Sequence, residues 1–432
     1  MTSIAPILTP AGAVAPLRVA NTAADIAALR AALTARLAAP ATMPPLLLGS
    51  PDDGDLSKSA HRIVRLPPEV VAIVQTSGST GKARKLVGLS ASALLASALA
   101  TLSALASYPH RDGHHLRACA DLAAARSHLR ADTRGAWIAG LPPHHIAGLQ
   151  VITRAIVSDA PIITPDYAAG FHPDALADAA AKLPHGLRAY TSLVPTQVHR
   201  LLQPHAAASL ETITAALDVA IVGGAPLAPA LAARAAARGL HLVHSYGMSE
   251  TCGGLVYDGW PLAGVEITFT HEAITLRGPM LTDGYLHEPY PRFVRADGRR
   301  EIVTNDRGYL QRSGQLHVSG RLDDVIITGG ENVAPTAVEA ALAAAGYFGV
   351  VVGLPDPHWG ELLTFVTTAN VPLAALRTAL ADHPRSWRPR AVVTLTSLPE
   401  AGPGKINRRA VSALAREVLR DGGGECYGET RT

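Results

Sequence analysis

The sequence predicts an α/β protein: a large N-terminal domain of mixed, largely parallel sheets with helices over residues 1–321, and a small α+β domain over 322–432. Three observations predict it. Short apolar runs rich in β-branched residues recur at 70–75, 137–139, 151–157 and 219–222, although the third could equally be helical. Alanine-rich helical stretches at 173–182 and 227–238 lie between or after them, and strands alternating with helices argue for a parallel sheet. After about residue 255 the texture changes to short alternating segments broken by Gly and Asp (VEITFTHEAITLRG, QLHVSGRLDDVIITGG), the pattern of antiparallel strands.

In chain order, residues 21–37 read as a helix with Asn21 or Thr22 as N-cap. A proline-rich connection follows, closing in the turn-like PDDGD at 51–55, and then comes the buried strand at 70–75. The stretch 90–108 raises a transmembrane question. Its five serines, its threonine and the helical stripe Leu95, Leu99, Leu102 make it a buried amphipathic helix instead. A further helix runs over 334–345, with Pro335 in its first turn and Gly346 as C-cap. Strands of a small α+β unit are expected at 350–354 and 391–395.

Composition narrows the function classes. The 432 residues exceed one ordinary core, and 48% hydrophobic with 17% charged residues describes a globular chain. A net charge of +3 with no dense basic block argues against nucleic acid or an anionic membrane as partner. Three distant cysteines without CxxC spacing read as reduced thiols of a cytoplasmic protein. The N-terminus, with no basic residue before Arg18, does not look like a secretory signal.

The strongest local motif is TSGSTGK at 76–82, directly after a predicted strand. Glycines that admit positive φ let successive N–H groups face one concavity, and the hydroxyls add donors, so the segment can cradle a polyphosphate. It is not a Walker A loop, which needs Gly at 76 and Ser or Thr at 83, where Thr76 and Ala83 stand. Taken alone it also reads as a Ser/Gly-rich surface turn. Residues 245–251 (SYGMSET) offer an aromatic surface for a purine at Tyr246 beside Gly247, a hydroxyl donor at Ser249 and a hard oxygen ligand for Mg²⁺ at Glu250. An ordinary glutamate at a strand end fits that stretch as well. Asp306 in TNDRGY, placed between a strand and a turn, can accept from both ribose hydroxyls, though Asp-Arg-Gly turns are common. GRLDD at 320–324 and Lys405 in a Pro/Gly loop complete the series.

The order of these motifs, together with LPPHHIAG at 141–148, GGAPL at 223–227 and VGLPD at 352–356, resembles that of the adenylate-forming superfamily over roughly residues 70–410. That superfamily comprises acyl-CoA synthetases, adenylation domains of peptide synthetases and luciferases. The resemblance implies the adenylate-forming fold with a mobile C-terminal domain, and an ATP-dependent acid–thiol ligase using Mg²⁺, ATP and coenzyme A. It implies that Thr76, Ser77, Gly78, Ser79, Thr80 and Gly81 grip the β- and γ-phosphates. Gly224, Ala225, Tyr246 and Gly247 belong to the adenine site. Ser249 would contact the α-phosphate, Glu250 hold Mg²⁺, and Asp306 with Arg321 bind the ribose. Lys405 would bridge the substrate carboxylate and α-phosphate. Asp323 matches the hinge, and Gly330 a glycine beside the pantetheine tunnel.

Two departures stand out. The phosphate loop continues as Ala83-Arg84-Lys85 where relatives have Pro-Lys-Gly, and the N-terminal subdomain is abbreviated. The short N-terminus, with TSLVPTQ at 191–197 and GGENV at 329–333, resembles o-succinylbenzoate–CoA ligases of menaquinone biosynthesis. The implied substrate is an aromatic keto-diacid, with His145 lining the acyl pocket and Ser192, Gln197 and Arg200 as candidates for the second carboxylate. His145 also reads as a loop histidine packed on the sheet. Two alternatives remain: a CoA ligase for another acid, and a non-catalytic nucleotide-binding homologue. The oligomeric state is open, a homodimer included.

Overall fold

The computed structural model describes residues 6–76, 84–106, 119–129, 133–168, 170–402 and 405–427. Five strands form the first sheet in sequence order: β1 (Ile7–Thr9), β2 (Gly12–Arg18), β3 (Leu46–Gly49), β4 (Val70–Thr76) and β5 (Lys85–Ser90). The β2–β3 and β3–β4 pairs are parallel, the outer two antiparallel. β3 lies inside what the sequence presents as a proline-rich connection. Its four residues LLLG are all buried, so the strand has no polar–apolar alternation to mark it.

The second sheet contains β6 (Gly135–Ile138), β7 (Ile162–Ile163), β8 (Arg188–Leu193), β9 (Val219–Val222), β10 (Leu242–Met248), β11 (Gly253–Tyr257) and β12 (Trp260–Pro261). Their order is β12-β11-β10-β9-β8-β6-β7, parallel from β7 through β10. From β6 the chain goes to one side for β7 and to the other for β8. In open α/β sheets, ligands bind at such a reversal, beyond the carboxyl ends of the strands. The ambiguous run 151–157 is helical, within Ile146–Ser158, and the long apolar stretch is the helix Ala91–Ala106, buried over most of its surface. No helix among the described residues is long and apolar enough to cross a membrane. The helix at Ala23–Ala38 starts on Thr22, whose hydroxyl accepts from Asp25 N, as its sequence predicts.

Antiparallel strands follow: β13 (Glu266–Thr270), β14 (Ala273–Arg277), β15 (Glu301–Leu310) and β16 (Leu316–Arg321). Beyond them lie β17 (Ile326–Thr328), β18 (Glu331–Val333), β19 (Val350–Asp356), β20 (Gly360–Thr367), β21 (Ala391–Thr394), the hairpin β22 (Glu400–Gly402) and β23 (Lys405–Ile406), and β24 (Glu425–Cys426). The chain forms two compact units. The first comprises Met1–Gly224, Ala235–Thr268 and Thr275–Ile302; the second comprises Ala225–Arg234, Phe269–Ile274 and Val303–Thr432. The second has its own core of Val338, Leu342, Leu363, Phe365 and Leu376, with the helix Pro335–Ala344 on one side. The units divide inside β15, between Ile302 and Val303, whereas the sequence places the domain boundary after Arg321.

Candidate active site

Four of the parallel strands deliver candidate residues at one edge of the second sheet. β9 runs out at Val222 into Gly223 and Gly224, the latter at φ +84°, and Gly223 N donates to the Leu193 carbonyl of β8 at 3.2 Å. β10 carries Tyr246 and Gly247 to its end, with a bulge between them where it pairs with β11. A side chain at Gly247 is excluded, because its Cβ would lie 2.1 Å from the Gly253 carbonyl oxygen. The chain then makes the 3₁₀ turn Ser249–Thr251 and reverses through Cys252 at φ +50°. This unusual backbone is held from several sides. Thr251 Oγ1 accepts from Met248 N (2.9 Å) and donates to the Gly253 carbonyl (2.7 Å). The Cys252 carbonyl accepts from Ser97 Oγ (2.9 Å) and Gln150 Nε2 (2.8 Å), each on a packed helix.

Glu250 is buried, 9% exposed. Its Oε1 accepts from the Tyr285 hydroxyl at 2.7 Å, and its main-chain carbonyl accepts from Thr282 N at 2.9 Å. Burial, and then the neighbouring Glu250 carboxylate, push the Tyr285 phenol far above its ordinary range, so the hydroxyl keeps its proton and is the donor. Lys85 Nζ donates to the same hydroxyl at 3.0 Å and lies 4.6 Å from the ring centroid. Lys85 pairs across β4–β5 with Thr76, the first residue of the phosphate motif. Ser77, Gly78, Ser79, Thr80 and Gly81 lie outside the described residues. Arg84, at the motif's far end, donates to Asp53 Oδ1 at 2.6 Å, inside the 51–55 turn. Burial alone would raise the Asp53 carboxyl, but its hydrogen bonds from Ser50 N and Arg84 hold it below the usual carboxylate range.

The sequence did not single out Tyr285, and it named Lys85 only as retained charge. Neither residue has a local signal, because their partner is about 200 residues away in the chain.

Of the predicted acyl-pocket residues, Ser192 and Gln197 stand at the carboxyl ends of β6 and β8. His145 is the N-cap position of the helix Ile146–Ser158, and its ring centroid is 4.3 Å from that of His144. Burial, then the neighbouring His144 and Arg84, lower the His145 pKa to about 4, so it is a neutral ring at pH 7. Ser192 is buried near the end of β8. Gln197 is buried too, and its amide is committed to the scaffold: Oε1 accepts from Val194 N (3.0 Å) and Nε2 donates to the Gly140 carbonyl (3.3 Å). It ties the two strand ends together, with one amide hydrogen left over. Arg200 is exposed and donates to the Phe171 carbonyl at 3.2 Å.

The second unit holds the other candidates. Ala225 belongs to it by contact, one residue beyond Gly224. Asp306 stands within the ten-residue β15 rather than between a strand and a turn, because a bulge at Arg307/Gly308 absorbs the irregularity and the ladder continues. It pairs in register with Arg321, their charged atoms 3.5 Å apart. Arg321 grips Asp323 with two hydrogen bonds of 2.8 Å. These raise the guanidinium pKa; for Asp323 burial pulls upward, but the two bonds win and lower it. Gly330, at φ +80°, follows Gly329 at φ +58° in the two-residue turn between β17 and β18, the backbone of a type I′ hairpin. Lys405 pairs with Gly402 across the β22–β23 hairpin; its side chain lies outside what is described.

Residues 8–274 match the family "AMP-binding enzyme", and the chain belongs to that family. The fold is that of an adenylate-forming enzyme. Among relatives, the Mycobacterium tuberculosis protein named "Probable 2-succinylbenzoate--CoA ligase" is 34% identical over 380 residues, covering 85% of this chain and 90% of that one. The 2-succinylbenzoate–CoA ligase of Enterococcus faecalis is 29% identical over 311 residues, covering 66% and 62%. Among solved structures, ATP-bound MatB from Rhodopseudomonas palustris superposes with a TM-score of 0.65 at 24% identity, covering 87% of this chain and 75% of that chain. The o-succinylbenzoate CoA synthetase (MenE) of Bacillus subtilis, in complex with its acyl-adenylate OSB-AMP, gives 0.62 at 20% identity, covering 88% and 80%. These two likenesses concern the fold.

Proposed function

We propose that this enzyme is an ATP-dependent, AMP-forming acid–CoA ligase whose acid is 2-succinylbenzoate, the aromatic keto-diacid of menaquinone biosynthesis. The observation that carries the reading is the 34% identity across 85% of the chain to a protein of that name. It is joined to a buried glutamate at the end of a parallel strand, where the fold binds nucleotides.

In the first half-reaction a carboxylate oxygen attacks the α-phosphorus of ATP, pyrophosphate leaves, and an acyl-adenylate forms. Tyr246 and Gly224 would flank the adenine, and Ser249 would donate to the α-phosphate from the rigid turn that Thr251 and Cys252 hold. Asp306, beside Arg321, would accept from the ribose hydroxyls. Lys405 would neutralise charge on the attacking carboxylate and the α-phosphate. In the second half-reaction the thiol of coenzyme A displaces AMP. Exchange of Lys405 for Gly330 at the reacting group, through rotation at Asp323, would let one pocket serve both steps.

Magnesium fits the residues present. Tyr285 takes Oε1 of Glu250 and leaves Oε2 as a hard oxygen ligand. The ion would take this one carboxylate oxygen and complete its shell with phosphate and water. When bound, it supplies charge neutralisation on the phosphates.

A neutral His145 cannot pair with the second carboxylate of the substrate as a cation. It serves the acyl pocket as an aromatic wall with one N–H, and Arg200 is the cation available for that carboxylate. ATP, coenzyme A and the diacid are small solutes that suit a cytoplasmic enzyme. The test is acid-dependent release of pyrophosphate, with and without coenzyme A, over aromatic, fatty and dicarboxylic acids. Release with 2-succinylbenzoate and thioester formation with coenzyme A are expected. Release only with fatty acids would overturn the substrate, and no release with any acid would overturn the ligase.

A further inference from the structure

We propose that Lys85 is a cationic contact for pyrophosphate, set beside Glu250 by Tyr285. The inference deepens the ligase reading and rests on it for the chemistry. Where related phosphate loops end in glycine, this chain places a lysine, and the structure gives that lysine a defined seat. Its cross-strand partner is Thr76, so its Cα lies at the base of the phosphate motif. Its ammonium reaches Tyr285, whose hydroxyl donates onward to Glu250. The hydrogen bonds therefore run in one direction, from Lys85 through Tyr285 to the Glu250 carboxylate.

Two further features distinguish this seat from a packing detail. The ammonium of Lys85 bonds a neutral hydroxyl, that of Tyr285, and not a carboxylate. An ammonium carries three donors, and Tyr285 takes one, leaving two for phosphate oxygens. The face of Tyr285 under the ammonium limits where it can swing. An anion lying between the start of the phosphate motif and Glu250 meets this charge.

The chemistry is balanced without proton transfer to or from Lys85. The carboxylate oxygen forms a bond to the α-phosphorus, the bond from that phosphorus to the bridging oxygen breaks, and pyrophosphate departs with the electron pair. Lys85 remains an ammonium throughout and meets the charge that grows on the leaving group. Thioester formation involves no pyrophosphate, so it owes nothing to Lys85.

Inorganic pyrophosphate with Mg²⁺, titrated calorimetrically into the full-length enzyme, is the direct probe. Lys85→Met should bind it about tenfold more weakly, the loss expected for one hydrogen bond to a charged group. Lys85→Arg should recover most of that, and Tyr285→Phe, which keeps the ring but loses the relay, should fall between. ATP–pyrophosphate exchange should drop about tenfold in Lys85→Met, while thioester formation from supplied acyl-adenylate stays at the wild-type rate. Unchanged pyrophosphate affinity, or an equal fall in both half-reactions, would overturn the proposal. Wild-type enzyme that shows no exchange with any acid counts against the ligase reading, and the calorimetric comparison then decides Lys85 by itself.

Discussion

Two clusters of charged candidate residues, one within each unit, are built on opposite plans. In the first unit Glu250 is buried and faces a neutral donor, Tyr285, on a turn fixed by Thr251, Ser97 and Gln150. In the second unit Arg321 is more than a third exposed and stands among three carboxylates, at 3.5 Å from Asp306, 2.8 Å from Asp323 and 3.9 Å from Asp324. A buried carboxylate bonded through one oxygen to a neutral hydroxyl leaves its other oxygen for an incoming cation, and hydrogen bonds hold its backbone in place. An exposed guanidinium among several carboxylates trades one partner for another at little cost. The first plan suits a group that must be in place before the substrate arrives, and the second a segment that moves.

The largest expected effect tests that division of labour. Lys405→Ala removes the one candidate in the second unit assigned to the attack on phosphorus. Adenylate formation should fall by about 10²–10³-fold, the usual loss for a group that stabilises transition-state charge. Thioester formation from supplied acyl-adenylate should change by less than about threefold. Rapid-quench assays of the separate half-reactions read both numbers, and equal losses would break the comparison. Glu250→Gln comes next. It retains an oxygen to accept from Tyr285 but loses the charge, so adenylate formation should drop by about 10–100-fold, with more Mg²⁺ needed for half-maximal rate. A thermal midpoint close to wild type would show that the charge serves the ligand; a large fall would make Glu250 a structural residue.

The first unit also shows where sequence reading succeeds and stops. The strand at Val219–Val222 and the helix Pro173–Ala180 are legible because their apolar residues are contiguous or periodic in the chain. Val70–Thr76 is legible too, and its position just before TSGSTGK gave the phosphate motif its strand–loop context. The same reasoning singles out Glu250 as a candidate, because SYGMSET is a local string in a recognisable order of motifs. It does not find Tyr285 or the roles of Ser97 and Gln150, whose contacts with the 249–252 turn span 35, 155 and 102 residues. It misses β3 because a strand buried on both faces leaves no alternation. Gln197 illustrates a subtler limit: its chemistry suggested a ligand contact, while its hydrogen bonds to Val194 and Gly140 make it a brace between two strand ends.

His145 offers a smaller effect that sharpens the contrast, since it is a half-buried ring whose charged form is disfavoured where it stands. Its pKa in the folded protein is about 4, below the ordinary 6.5. Between those values the unfolded chain binds the proton and the folded one does not, so stability is full above about pH 6.5 and declines as pH falls towards 4. The expected contribution is at most about 3 kcal/mol over that window. His145→Gln should remove that part of the slope in urea melts taken from pH 7 to pH 4. An unchanged slope would mean that the ring protonates freely and is open to solvent.

The smallest effect belongs to Asp323. Its carboxyl is nearly half exposed, so its ion pair with Arg321 should contribute less than about 1 kcal/mol to stability and should vanish in 1 M salt. Because Arg321 holds the carboxyl below its ordinary pKa, that contribution is present above about pH 4 and is lost as the pH falls through the lower, folded value. Asp323→Ala should therefore leave the thermal midpoint within a few degrees of wild type. Its kinetic signature should be uneven, with adenylate formation nearly unchanged and the complete reaction to the thioester slowed. A rearranging segment is expected to limit the step that needs the rearrangement, not the step before it. If Asp323→Ala instead slowed adenylate formation alone, the Arg321 cluster would be a fixed part of the nucleotide site, and the contrast between a rigid and an exchangeable cluster would fail.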